Sequence, residues 1–132
     1  MDAPQVEVEF RGSLPVRSDP QRWRTAWGVE NHDAEPVQLL AAWLPHSRFR
    51  CDERDLSGLP VLGAGQGTQV ELEASCHEAP GTAVPAAFLI LRFLWRGLAW
   101  RLLARTTVTW DEAGAPGVQI ERVDRQRVGF SR

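Results

Sequence analysis

The feature that most constrains this chain is an alternation of apolar and polar residues with period two, sustained from Leu89 to Trp110 around one short interruption. Leu89, Leu91, Phe93 and Trp95 alternate into Arg96-Gly97, and the pattern resumes as Trp100, Leu102, Ala104, Thr106, Val108 and Trp110. Successive side chains of a β-strand point to opposite faces, so this period gathers the apolar set on one face of a sheet. Two such runs around an Arg-Gly pair predict an antiparallel hairpin. Two registers compete for it. A two-residue loop at Arg96-Gly97 sets Arg92 opposite Arg101, an unfavourable like-charge pair. A four-residue loop from Arg96 to Ala99 sets Trp95 opposite Trp100 and Phe93 opposite Leu102. Pairing aromatic with aromatic favours the second register.

The same alternation recurs along the chain between turn-forming residues. Val6, Val8 and Phe10 predict a first strand, followed by a proline-broken edge piece at Leu14-Pro15-Val16. Trp23, Thr25, Trp27 and Val29 predict another, ending in the turn composition Asn31-His32-Asp33. Val37, Leu39, Ala41 and Trp43 read as a strand bounded by Pro36 and Pro45, with Phe49 continuing it. Helical spacing of Val37, Leu40, Ala41 and Leu44 is the competing reading. Cys51 to Gly58 is polar and reads as a single helical turn, and Leu59 to Leu62 as a short strand. Val70, Leu72, Ala74 and Cys76 alternate cleanly. Val118 and Ile120 close the set, and the tail from Arg122 to Arg132 is expected to add one pairing. No internal repeat is present.

Such a chain, about eight short strands with turn chemistry between them, resembles immunoglobulin-like and fibronectin-type-III-like β-sandwiches. The likeness is one of fold only. It implies an all-β, antiparallel sandwich of about seven to nine strands, a single domain over residues 1–132.

Composition narrows the function. Fifteen basic and seventeen acidic residues leave a net charge of −2, and every basic residue is Arg. Duplex binding needs a face that neutralises several phosphates, and the densest stretches, Arg22/Arg24 and Arg122/Arg125/Arg127, do not make one. Nucleic acid is therefore not expected as a partner. The longest apolar run, Ala86 to Leu91, is stopped by Arg92, far short of the ~20 residues of a spanning helix. Met1 to Gln5 lack the features of a secretory leader, so no membrane role is expected and the cytoplasm is the expected location.

Candidate chemistry is sparse. Cys76-His77 are sequence neighbours, but adjacent strand residues point to opposite faces and no third group is in place to orient a base. Cys51, Cys76 and His77 with His46 or His32 would supply zinc ligand types without the paired spacing of zinc sites, and Cys51 with Cys76 would supply a disulfide. In a cytoplasmic setting free thiols are expected. The carboxylates Asp52/Glu53/Asp55 and Asp111/Glu112 read as solvated loop charge, and Gly63, Gly65 and Gly67 as a flexible connection rather than a phosphate loop. No catalytic set, cofactor or metal is expected. The six tryptophans mostly read as core, with any exposed remainder marking a ligand surface. Trp43, His46, Arg48 and Arg50 form the candidate partner-binding group, since Trp and Arg are enriched where interfaces concentrate their energy. The expected function is a non-catalytic protein-binding or assembly module, partnered by another protein or by a copy of itself. A small-molecule or carbohydrate-binding sandwich is the first alternative, and a metal- or thiol-dependent enzyme the second.

Overall fold

Alternation translates directly into strands. The computed structural model describes residues 3–129 and contains β1 (Val6–Val16), β2 (Asp19–Asn31), β3 (Val37–His46), β4 (Phe49–Asp55), β5 (Gly67–Ser75), β6 (Ala83–Trp95), β7 (Leu98–Trp110) and β8 (Pro116–Arg127). All pairings are antiparallel, in one sheet of order β1-β2-β5-β4-β3-β6-β7-β8. No helix occurs among the described residues, and so none long and apolar enough to cross a membrane.

The sheet curls until it is nearly a closed barrel. At the β1–β8 seam Ser13 Oγ donates to the Pro116 carbonyl at 2.8 Å, and the Arg125 guanidinium donates twice to the Val6 carbonyl, at 2.6 and 3.0 Å. At the other seam β4 and β5 share one bridge, Arg50 opposite Ser75, and the Arg54 guanidinium donates to the Glu71 carbonyl. Register shifts in β1, β3, β6 and β8 supply the bending, since each extra residue sharpens the local twist. At the first of them Gly12 takes φ 141°, a value that residues with a side chain rarely adopt.

Inward-facing residues of all eight strands merge in one core, from Val6 through Trp27, Leu39, Phe49, Leu72, Leu89 and Leu102 to the partly buried Val118 and Val123. Three polar side chains are built into it, and one of them, Thr106, donates from Oγ1 to the Ala87 carbonyl at 2.9 Å. Thr25 Oγ1 donates to the Leu72 carbonyl at 2.7 Å and accepts the Trp27 indole N–H at 2.8 Å. Asn31 Nδ2 donates to the carbonyls of Glu35 at 2.9 Å and Leu62 at 3.0 Å, and Asn31 Oδ1 accepts the Asp33 amide at 2.8 Å.

The structure corrects several expectations from sequence. The β6–β7 loop has two residues: Trp95 faces Leu98, and Arg92 does face Arg101. Arg96 and Gly97 both take positive φ, 54° and 71°, as the type I′ turn that matches strand twist requires. Trp95 and Trp100 still meet edge to face at 5.8 Å, as diagonal rather than direct neighbours. Cys51 to Asp55 is strand, not a helical turn, because its backbone pairs along β3, with Cys51 opposite Leu44, Arg54 opposite Ala42 and Asp55 opposite Ala41. Leu59 to Leu62 reduces to one bridge between Leu62 and Val37. Leu14-Pro15-Val16 belongs to β1 itself. The tail pairs with β7 through Arg127, and its last residues, 130–132, lie outside the described residues.

Candidate functional site

The residues singled out in the sequence part company in space. Arg48, in the β3–β4 turn, grips Glu78 with two hydrogen bonds of 2.6 and 3.2 Å, which hold the Glu78 carboxyl below the usual carboxylate range. His46 Nδ1 accepts the Arg48 amide at 3.0 Å and so shapes the turn. Arg50 bonds Asp52 at 2.8 Å beside the β4–β5 seam. Trp43 lies on the outer face of β3, opposite Ile90 of β6. The four serve three separate places.

The β4–β5 seam opens into a cleft of about 850 Å³ whose lining includes Arg22, Arg24, Arg50 and Arg54. Their charge is already answered locally. Glu73 sits 3.6 Å from Arg22 and 3.8 Å from Arg24, Asp52 takes Arg50, and Arg54 is occupied by the Glu71 carbonyl. Exposed pairs of this kind contribute little stability and form the solvated face of β2 and β5. Cys51 borders the same cleft, with its thiol pKa raised by burial and the neighbouring Asp52.

Nucleophilic chemistry finds no assembled group. Cys76 and His77 lie just past the end of β5, Cys76 buried and His77 exposed, so the two do not share one environment. Burial pushes the Cys76 thiol up to about 11, with the Trp110 indole N–H acting in the opposite sense. An activated cysteine needs its thiol pKa lowered. Cys51 and Cys76 are free thiols, and among the described residues no three His, Cys, Asp or Glu side chains converge as a metal site would need.

A different surface stands out. The outer face of β1, β2 and β5 is charged, with Glu9, Arg11, Arg24, Glu71 and Glu73 among its residues. The outer face of β3, β6 and β7 instead carries an apolar row. Trp43, Ile90 and Leu103 form a continuous cross-strand row that ends at Asp124 of β8. Phe88 and Leu94 lie two and four residues away along β6, and all five apolar side chains of the patch are half-buried. Arginines frame the row. Arg105 is paired directly with Arg122 on one side, and Arg92 with Arg101 on the other.

Some of these charges have partners: Arg92 lies 3.9 Å from Glu53, and Arg122 lies 3.1 Å from Asp124. Arg101 and Arg105 have no acidic side chain within ion-pair distance among the described residues, and Arg101 Nε is buried without a hydrogen-bond partner. Cross-strand pairs of like charge are unfavourable, and this face carries two of them.

Of the residues on this face, Trp43 is the one that stands out in the sequence as a candidate. The signal for the rest was present in β6, AVPAAFLILRFLW, which is apolar at both parities from Phe88 to Leu91. A strand apolar on both faces is one that expects cover on both.

The tryptophans divide in the same way. Trp27, Trp95, Trp100 and Trp110 are buried in the core, while Trp23 packs against its edge. Trp23 and Trp43 lie on different faces, so no row of exposed indoles forms for stacking on sugar rings. No protein-family model matches the chain, and no curated protein matches it in sequence.

Proposed function

We propose that the chain is a non-catalytic protein-binding module that docks a partner on the outer face of β3, β6 and β7. The observation that carries this reading is the apolar outer row Trp43–Ile90–Leu103 on a strand pair whose inner face already fills the core. Solvent-facing positions of an antiparallel sheet are ordinarily polar, as they are on β2 and β5 of this same molecule. A contiguous apolar patch rimmed by charge is the usual mark of an interaction surface. The enzyme alternative gains nothing from a cysteine whose thiol is pushed up rather than down.

A small-molecule site is the second reading. Its support is the arginine-lined cleft at the β4–β5 seam, of a volume suited to a small polar ligand. Architecture belongs to the reading as well. With one bridge between β4 and β5, the strands β1-β2-β5 and β4-β3-β6-β7-β8 act as two layers, in the manner of an immunoglobulin-like sandwich. Free thiols at Cys51 and Cys76 suit a reducing compartment such as the cytoplasm.

The test places a photo-cross-linking amino acid at Leu103 and, as a control, at Glu71 on the charged face, in the cell that makes the protein. A discrete adduct from Leu103 that disappears with Ile90→Asp, and is absent from Glu71, is the expected result. No adduct from Leu103, or the same pattern from both positions, refutes docking on this face.

A further inference from the structure

The two arginine pairs say what kind of partner the outer face fits. Arg92 and Arg101 face each other across β6 and β7, and Arg105 and Arg122 across β7 and β8. Between the pairs lies Leu103, flanked by Ile90. Arg101 and Arg105 are four residues apart on one strand, which at ~3.4 Å per residue is roughly 14 Å. Arg92 and Arg122 already have Glu53 and Asp124 beside them, so the face presents two guanidiniums without an acidic partner among the described residues, Arg101 and Arg105, with an apolar seat at the midpoint.

From this juxtaposition we infer that the partner is an acidic polypeptide segment, bound extended, with carboxylates four residues apart and an apolar side chain midway. In an extended chain such residues share one face, and the span of four residues matches the separation of the arginine pairs. A carboxylate at each end gives Arg101 and Arg105 the acidic partner that neither has among the described residues. Arg suits this role because its planar fork takes carboxylate oxygens bidentately.

A membrane or nucleic acid fits less well. Glu53, Asp124 and Glu121 (held by Thr107 at 3.0 Å) stand around the same arginines and oppose a broad anionic surface. Discrete pairs select discrete carboxylates. The inference rests on the docking reading above and names its partner.

The experiment uses the full chain, labelled with ¹⁵N, and a synthetic peptide, acetyl-Thr-Glu-Thr-Ile-Thr-Glu-Thr-amide. Two companion peptides carry Lys for both Glu, or Ser for the Ile. The expected result is movement of amide signals in β6 and β7 with the first peptide only. Arg101→Gln and Arg105→Gln, both at sites with exposed or half-exposed side chains, should each weaken binding roughly three- to tenfold, and added salt should weaken it further. Unchanged near-ultraviolet circular dichroism shows that both variants remain folded.

Equal movement with the Glu and Lys peptides overturns the acidic partner while leaving the docking face in place. Movement with none of the peptides overturns the acidic partner too, and the Leu103 cross-link then decides whether docking itself stands. Signal loss with vesicles of phosphatidylserine and phosphatidylcholine, in the absence of any peptide effect, assigns the arginines to a lipid surface instead. An adduct between two copies of this chain overturns the inference in favour of self-association.

Discussion

Replacing Thr25 by Val tests whether the core is held by a hydrogen-bonded pair or by shape alone. The two side chains have nearly the same volume, so no cavity forms and the change is electrostatic. Thr25 Oγ1 is the acceptor for the buried Trp27 indole N–H at 2.8 Å and the donor to the Leu72 carbonyl at 2.7 Å. The Leu72 carbonyl faces Thr25 in the β2–β5 ladder and keeps a backbone donor after the substitution. The indole N–H does not, and an orphaned buried donor costs about 1–3 kcal/mol. Losing the hydroxyl's own bond adds ~1 kcal/mol, and the new methyl returns ~0.8 kcal/mol. The expected net loss is about 2 kcal/mol, a fall in melting temperature of roughly 8 °C at about 4 °C per kcal/mol.

Urea unfolding followed by tryptophan fluorescence measures it. Trp27→Phe supplies the second arm of a double-mutant cycle, since it removes the donor and keeps a ring against Phe10, now 5.1 Å away. With Val and Phe together no N–H is orphaned, so the double variant should be more stable than the sum of the single losses predicts, by about 1–2 kcal/mol. Additivity within ~0.5 kcal/mol would refute the pairing as a source of stability.

Asn31→Ala removes the side chain that ties β2 to the segment before β3 and to Leu62, and should cost about 3 kcal/mol or more because several buried groups lose partners together. A loss under ~1 kcal/mol in the same urea assay would place that junction on the backbone alone. Gly97→Ala forces a side chain into φ 71° and should destabilise by about 1–2 kcal/mol, whereas a four-residue loop would tolerate it. Cys76, pushed up to about 11, should react with a disulfide reagent at pH 8 only on the timescale of unfolding. The unfolded thiol titrates near ~8.5, so from there to about 11 the unfolded chain sheds a proton that the folded chain keeps, and stability must fall as pH rises. A Cys76→Ala variant should lose most of that slope, and an unchanged slope would assign it elsewhere.

The parts of this fold legible in the sequence are those that a period of two encodes. β5 and β7 alternate with few breaks and were read nearly residue for residue, because one face of each meets the core and the other meets water. Closure was not legible. It depends on one bridge at Arg50 and on Arg54 and Arg125 reaching backbone carbonyls across the seams, and long-range contacts of that kind leave no local pattern. The β6–β7 register follows the turn backbone rather than the side-chain pairs. Side-chain pairing alone favours the four-residue loop. The Arg96 backbone in fact adopts φ 54° beside Gly97, and the twist match of a type I′ turn outweighs one exposed pair of like charges. Of the candidate binding group, Trp43 alone lies on the apolar face. Arg48 was drawn off by Glu78, a residue distant in sequence that no local reading connects to it.

The turn explains why Arg92 and Arg101 stand opposite each other, but not why both are arginine. Once the register is fixed, a glutamate at either position would convert a repulsive pair into an attractive one. Nor does the turn reach the second pair. Arg105 and Arg122 belong to a different strand pair and sit at the register shift of β8, where one residue more or less would realign them. Two repulsive pairs of separate structural origin therefore flank one apolar row on one face. The opposite face of the molecule shows the ordinary solution, with Arg24 set directly across from Glu73. Local conflicts of this kind concentrate where a chain is shaped for something other than its own stability. Glu53 and Asp124 answer one arginine of each pair, and carboxylates brought to Arg101 and Arg105 would answer the other, the apolar seat between them fixing how far apart those carboxylates must stand.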